Sequence, residues 1–116
     1  MSIEAEKLFF EARTKADAGD AGIAAGLLFD LITRYPDFGK AYSLLAIIYL
    51  ISFEDHLQSE TYFKKAMILA PEYPSTYLHY AELLLAQERN TELVAVLNKG
   101  LETPGMEKDK AYHLLG

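Results

Sequence analysis

The hydrophobic residues of this chain recur at helical spacing in a series of short runs, which glycine or polar residues separate. The first two runs meet at Gly19-Asp20, a turn signal, and the later pairs meet at short polar segments. No segment shows the sustained alternation that is typical of a half-buried strand. The pattern predicts an all-α chain of about seven helices, at about residues 3–18, 21–35, 39–53, 57–70, 75–87, 92–102 and 108–116.

One period runs through these helices. Tyr42, Tyr77 and Tyr112 lie 35 residues apart, and a small residue follows each of them four positions later. Three prolines mark nearly the same period, and each follows an apolar run where it ends a helix. The small residues are Ala46, Ala81 and Gly116, Ala12 stands one period earlier, and the prolines are Pro36, Pro71 and Pro104. The chain is therefore expected to repeat one pair of helices three times.

Small residues at these positions have a physical reason, because two antiparallel helices approach closely only where a large side chain does not hold them apart. We expect Ala66 and Gly100 to allow close packing on second helices, and Gly22 and Gly26 to be close-packing sites as well. Ser75, which follows a proline, is expected to be the N-cap of the fifth helix.

The arrangement resembles the tetratricopeptide repeat, whose pattern is W-x2-L-G-x2-Y, then A-x3-F, then P. The middle repeat matches it best, with Tyr42, Leu45, Ala46, Tyr49, Ser59, Phe63, Ala66 and Pro71 at the pattern positions. The chain has no tryptophan, so the resemblance is to a divergent member. It implies an antiparallel helix-pair solenoid with a right-handed superhelical twist. One domain would cover 1–116, with repeats at about 5–38, 39–73 and 74–107 and a C-terminal helix at 108–116.

The C-terminal helix leaves two readings open. A solenoid usually ends on a helix with a polar outer face, and this segment would be such a cap if Leu114 and Leu115 fold back onto the third repeat. Because the repeat signature begins again at Tyr112 and then stops, we favour a truncated or minimal array.

The resemblance also implies a concave groove, lined by the first helices, that binds a peptide or a partner helix. First-helix residues outside the packing pattern then form the candidate partner-binding groove: Phe9, Arg13, Ser43, Ile47, Leu50, Leu78, Glu82 and Leu85. Several are large and apolar, and an exposed apolar strip marks an interaction site. The alternative is that these residues are buried between repeats.

The chemistry of this groove narrows the kind of partner. Family members that clamp a C-terminal carboxylate use Lys, Arg and Asn in the groove, and the matching places here hold Ser43, Ile47, Leu78 and Glu82. The sequence therefore predicts no carboxylate clamp. We expect an apolar or amphipathic segment to bind, with Arg13 and Glu82 as polar guides.

Composition excludes several classes of partner. The 116 residues carry a net charge of −6, which argues against nucleic acid because that affinity depends on concentrated Lys and Arg. Cysteine is absent, which fits a reducing compartment, and we expect a cytoplasmic protein. The most apolar stretch, 44–53, is about half of the roughly 20 residues that a membrane span needs, so we expect a buried helix and no membrane contact.

No motif for catalysis is visible. The chain has no nucleophile elbow, phosphate-binding loop or dinucleotide fingerprint. His79 and Glu82 stand three residues apart, but two ligands on one helix are too few to predict a metal. We therefore expect neither enzyme activity nor a cofactor or metal. The predicted function is a protein-protein interaction scaffold, and the alternative is self-association into a homodimer, through the same apolar surface or an uncapped terminal repeat.

Overall fold

The computed structural model describes residues 2–116 of the chain. Its helices are α1 (Ile3–Asp17), α2 (Ala21–Arg34), α3 (Gly39–Ile51), α4 (His56–Leu69), α5 (Pro74–Ala86), α6 (Asn90–Leu101) and α7 (Lys108–Leu115). Residues 2–116 contain no strand, so the prediction of an all-α chain with about seven helices is confirmed. No helix in this range has the length and apolar character needed to cross a membrane.

Polar side chains and proline determine where several helices begin. Ser2 and Asp55 each accept a hydrogen bond from the backbone amide three residues ahead, at 3.2 and 3.1 Å, which satisfies a free amide of the first turn. The predicted N-cap at Ser75 is wrong. Helix α5 begins one residue earlier, at Pro74, because the fixed φ and missing N–H of proline suit the first helical position. The Ser75 hydroxyl lies 3.2 Å from Nδ1 of His79 instead.

Each of the turns inside the three helix pairs contains one residue in the left-handed backbone conformation. Gly19 has a φ of 87° in the first turn, as its turn signal predicts. One period later Glu54 has a φ of 53°, and Glu88 follows with 57°. A residue with a Cβ is strained in this conformation by roughly 1 kcal/mol or more. The three turns therefore have related geometry, and only the first has the residue type that adopts it freely.

The helices form two compact units, Met1–Ala70 (unit 1) and Pro71–Gly116 (unit 2). In unit 1, α1 packs on α2, α3 packs on α4, and α3 also contacts α1 and α2. In unit 2, α5 packs on α6 and α7 contacts both, with Leu114 and Leu115 half-buried. The single domain and the repeat boundaries at 5–38, 39–73 and 74–107 stay predictions.

Small residues lie where helices meet, as expected. Ala12, Ala46 and Ala66 are fully buried in unit 1. The hydroxyl of Ser59 donates a 2.7 Å hydrogen bond to the carbonyl of Ala46. This bond crosses from α4 to α3 and is possible because both residues are small. The prediction of close helix contact at the alanines of the repeat pattern is therefore confirmed in this unit.

The glycines divide into two groups. A Cβ placed on Gly39 would lie 2.6 Å from the Cβ of Ala70, and one on Gly100 would lie 2.6 Å from the Cβ of Tyr77, so both allow close contact. The same expectation is wrong for Gly22, Gly26 and Gly116. These three are exposed, and a Cβ on any of them would meet nothing within 4 Å.

A hydrogen bond between tyrosine and a proline carbonyl recurs in both units. The Tyr42 hydroxyl donates to the carbonyl of Pro36 at 2.7 Å, and the Tyr77 hydroxyl donates to that of Pro71. The pKa of Tyr42 is raised by burial and then by the charge of Asp37. Burial and then a carboxylate one residue beyond the proline raise the pKa of Tyr77 in the same way. Each bond joins the start of a first helix to the proline turn before it.

Candidate functional site

The eight residues of the predicted groove fall into two sets, one in each unit. The unit 1 face comprises Phe9, Arg13, Ser43, Ile47 and Leu50 on α1 and α3. The unit 2 face comprises Leu78, Glu82 and Leu85 on α5. Within each helix these residues follow one another at three or four positions, which places them along one side of the helix.

On the unit 1 face, exposure increases along α3 toward its C-terminal end. Ser43 is fully buried, Ile47 and Leu50 are half-buried, and Ile51 is 62% exposed. Phe53, just beyond the helix, is 43% exposed. The C-terminal end of α3 therefore presents Ile51 and the following Phe53 to solvent, where a partner can reach them.

Beside the α1 part of the face, the ammonium group of Lys40 lies against two aromatic rings. Phe9 is buried, with its ring centroid 5.6 Å from that of Phe38. The Nζ of Lys40 lies 5.2 Å from the Phe9 ring and 5.4 Å from the Phe38 ring. It also lies 3.1 Å from a carboxylate oxygen of Glu6. Arg13 is exposed, as a polar guide needs to be.

Sequence reasoning missed Glu6 and Lys40. The ion pair joins α1 to α3, and the aromatic contacts and the carboxylate together hold the ammonium group in place. A signal existed, because 34 residues separate the two and they occupy the same position in successive repeats. Opposite charges at one repeat position predict a pair between neighbouring first helices.

The unit 2 face combines two leucines with one carboxylate. Leu78 is buried, whereas Glu82 is exposed and Leu85 is 47% exposed. Lys110 of α7 lies 2.8 Å from Glu107. Its pKa is raised chiefly by the hydrogen bond to Glu107 and by that charge, and Glu82 adds to the same direction. The negative charge of Glu82 therefore favours the charged form of Lys110 on α7.

Tilted aromatic rings in contact connect α3 and α4 in unit 1. The ring centroids of Tyr42 and Tyr49 lie 6.3 and 5.5 Å from that of Tyr62, and Phe53 packs edge-on against Tyr49 at 5.1 Å. Burial is the main cause that raises the pKa of Tyr62. The rings fill the space between two helices, so they belong to the packing of the helix pair.

Little in the described residues points to small-molecule chemistry. Within residues 2–116, no three His, Cys, Asp or Glu side chains stand close enough to hold a metal ion. Two shallow depressions of about 570 and 370 Å³ lie on unit 1. The larger is lined by Ser2, Ile3, Glu6, Lys7 and Phe10. None of the eight predicted groove residues lines either depression.

The comparisons with known proteins give a match in structure alone. No protein-family model matches the chain, and no match is found among curated proteins. A solved structure, the complex of the TPR2B domain of yeast Sti1 with pHsp70, superimposes with a TM-score of 0.85 at 18% sequence identity. The match covers 98% of this chain and 94% of that chain. The chain therefore has the fold of a tetratricopeptide repeat domain.

Proposed function

We propose that the chain is a protein-interaction scaffold without chemistry of its own, which binds a peptide or partner helix through its first helices. The unit 1 face and the unit 2 face supply the contacts. The observation that carries this proposal is the exposed apolar end of α3, where Ile51 is 62% exposed, together with Leu85 of α5 at 47%. Leu50 and Leu85 stand 35 residues apart, so the same repeat position offers leucine in both units.

The structural neighbour supports the same function. The TPR2B domain of Sti1 forms a complex with pHsp70, and this chain has its fold. The groove does not suit a free C-terminal carboxylate. Tetratricopeptide repeat proteins that clamp such a carboxylate carry Lys, Arg and Asn at the positions where this chain has Ser43, Ile47, Leu78 and Glu82. Apolar and amphipathic segments suit such a surface. Arg13 and Glu82, both exposed, are suited to orient the segment.

A peptide selection tests this function. Random peptides displayed on phage are selected against the intact chain, and the strongest is labelled for fluorescence anisotropy. Ile47→Asp and Leu85→Asp should each weaken its binding by roughly tenfold or more, because they place a charge in an apolar contact. The matched controls Ile23→Asp and Val94→Asp, on exposed parts of α2 and α6, should leave binding unchanged.

Leu78 is a poor choice for this test. It is 6% exposed, so an aspartate there would be buried without a partner and would perturb folding. The absence of a clamp is tested with the same selected peptide, whose free-acid and C-terminally amidated forms should bind equally. A strong preference for the free acid, or equal losses in the controls, would refute the proposed surface.

Self-association is the second candidate, and the exposed side of α1 favours it. Ile3 and Phe10 are 76% and 72% exposed, one above the other on the helix. Sedimentation velocity over a wide concentration range would show a dimer that persists in salt and is lost in Phe10→Ser. A monomer at every concentration removes this candidate and leaves the scaffold function untouched.

A further inference from the structure

The outer side of α4 carries a stripe of exposed residues that the fold does not explain. The stripe comprises Leu57, Thr61, Lys64 and Ile68, which recur at helical spacing along one side of the helix. Leu57 is 81% exposed and Ile68 76%. The opposite side of α4 packs into unit 1 through Ser59, Phe63 and Ala66, all fully buried. The stripe therefore contributes nothing to the core.

The other second helices show that this position in the repeat does not require large aliphatic side chains. One period earlier α2 has glycine where α4 has Leu57, and threonine where α4 has Ile68. One period later the same positions hold threonine and glutamate. The full sets are Gly22, Gly26, Phe29 and Thr33 in the first repeat, and Thr91, Ala95, Asn98 and Glu102 in the third. A repeat thus folds without exposed Leu and Ile here.

The stripe has one charged residue, Lys64, and the exposed Lys65 stands next to it, in a chain whose net charge is −6. The side chain of Lys64 is 64% exposed, and its Nζ lies 3.9 Å from Glu60, which is a long ion pair. The Nζ of neighbouring Lys65 lies 5.8 Å from the ring centroid of Tyr42. Asp55, at the start of α4, already caps the helix. No acidic side chain belongs to the stripe.

We propose that this stripe binds an acidic amphipathic helix of another protein. Leu57 and Ile68 stand eleven residues apart, about 16 Å along the helix axis, which is the length of three turns of a partner helix. Apolar residues of the partner would cover them and the threonine between them, and its carboxylates would face Lys64 and Lys65.

Charge makes a membrane a poorer match. A flat anionic bilayer brings a whole side of the molecule to its surface, and a chain of net charge −6 is repelled there. A helix that lies along α4 meets only the stripe, which includes Lys64, and the neighbouring Lys65. This surface differs from the first-helix faces, so the two proposals stand or fall separately.

The test uses a fluorescein-labelled synthetic helix of roughly 18 residues, with leucine on one side and glutamate elsewhere. A second peptide carries lysine in place of every glutamate. We expect the acidic peptide to bind the intact chain, with affinity falling as salt rises, and the basic peptide to bind at least about tenfold more weakly. Equal binding of the two peptides, or no binding of the acidic one, would overturn the proposal.

Two double variants and one control locate the binding. Lys64→Glu with Lys65→Glu, and Leu57→Ser with Ile68→Ser, should each weaken binding of the acidic peptide by roughly tenfold or more. Circular dichroism should show unchanged helix content, since all four residues are exposed. The control pair Val94→Ser with Lys99→Glu, on the exposed side of α6, should bind normally. Unchanged binding in both α4 variants would also overturn the proposal.

Other occupants give different results. If the stripe binds a second copy, the intact chain dimerises in sedimentation velocity and the Leu57→Ser, Ile68→Ser variant is monomeric. If it binds a membrane, the chain cosediments with vesicles of phosphatidylcholine and phosphatidylserine, and the lysine variant does not. Either result replaces the acidic helix as the occupant. Ile47→Asp and Leu85→Asp should leave binding of the acidic peptide intact, which separates this surface from the first-helix faces.

Discussion

Glycine stands in two kinds of place in this chain, and the two teach different lessons. At Gly39 and Gly100, at the start of α3 and inside α6, a Cβ would lie 2.6 Å from a neighbouring atom. At Gly22 and Gly26, along α2, it would meet nothing within 4 Å. Glycine is a packing requirement in the first pair. In the second it only weakens the helix, because its backbone loses more freedom on folding.

The largest expected effect is at the close contacts. Gly39→Ala should lower the free energy of unfolding by about 2 kcal/mol, because the new Cβ would also lie 2.8 Å from the backbone nitrogen of Ala70, which cannot easily move. Gly100→Ala should cost a similar amount: the Cε of Met106 is flexible, but the new Cβ would also lie 2.6 Å from the Cβ of Tyr77, which is attached directly to the backbone of α5. Urea denaturation measures both. A neutral Gly39→Ala would mean that the start of α3 shifts freely.

Tyr42→Phe shows whether the turn before α3 depends on a hydrogen bond as well as on the contact at Gly39. Loss of the bond to Pro36 should cost about 1 kcal/mol. Because the folded-state pKa of Tyr42 is raised, its contribution to stability is present below the ordinary pKa of 10.0 and is lost as pH rises through the folded value. The alkaline fall in unfolding free energy should therefore be shallower in Tyr42→Phe, and an identical slope would contradict this.

The second and third within-pair turns reverse the comparison, because glycine is absent there where it would help. Glu54→Gly and Glu88→Gly should each raise the free energy of unfolding by about 1 kcal/mol, since φ values of 53° and 57° strain a residue with a Cβ. The control is Glu102→Gly, at a helix end with a φ of −81°, which should not stabilise. Thermal unfolding measures all three, and equal shifts would show that the turn conformation is not the cause.

The smallest expected effect is at the open glycines. Gly22→Ala and Gly26→Ala should each stabilise the chain by about 0.5 kcal/mol or slightly more, because alanine is the better helix former and its methyl group meets no atom. Urea denaturation at two protein concentrations measures this. Destabilisation that appears only at the higher concentration would show that another molecule covers the outer side of α2.

The sequence pattern was sufficient for the helix pairs, the period and the buried alanines. It failed at Gly22 and Gly26 for a physical reason: periodicity shows which residues share one side of a helix, but not whether another element covers that side. The same gap explains why Ser43 and Leu85, both predicted for the groove, differ so much in exposure. How deeply a side chain is buried depends on which helices pack against its own.

A pair between helices was also missed, although the opposite charges of Glu6 and Lys40 at one repeat position indicate it. Lys40 was missed because its partners, Glu6 and Phe9, belong to another helix, and only the fold brings them within 3.1 Å and 5.2 Å of its ammonium group. Ser75 was misassigned because serine and proline both start helices, and the proline came first. Local preference alone does not rank two valid signals that stand side by side.

The contacting tyrosine rings of α3 and α4 also give unit 1 an optical signature. The chain has no tryptophan, so tyrosine dominates its near-ultraviolet spectrum. Rings 5.5 and 6.3 Å apart in a fixed, tilted arrangement couple electronically, and the coupling disappears once the two helices separate. Near-ultraviolet circular dichroism therefore reports on the contact between these helices without a label. A tryptophan introduced into α5 or α6 would add a signal at longer wavelength than that of tyrosine. The thermal unfolding of each unit could then be followed in one sample.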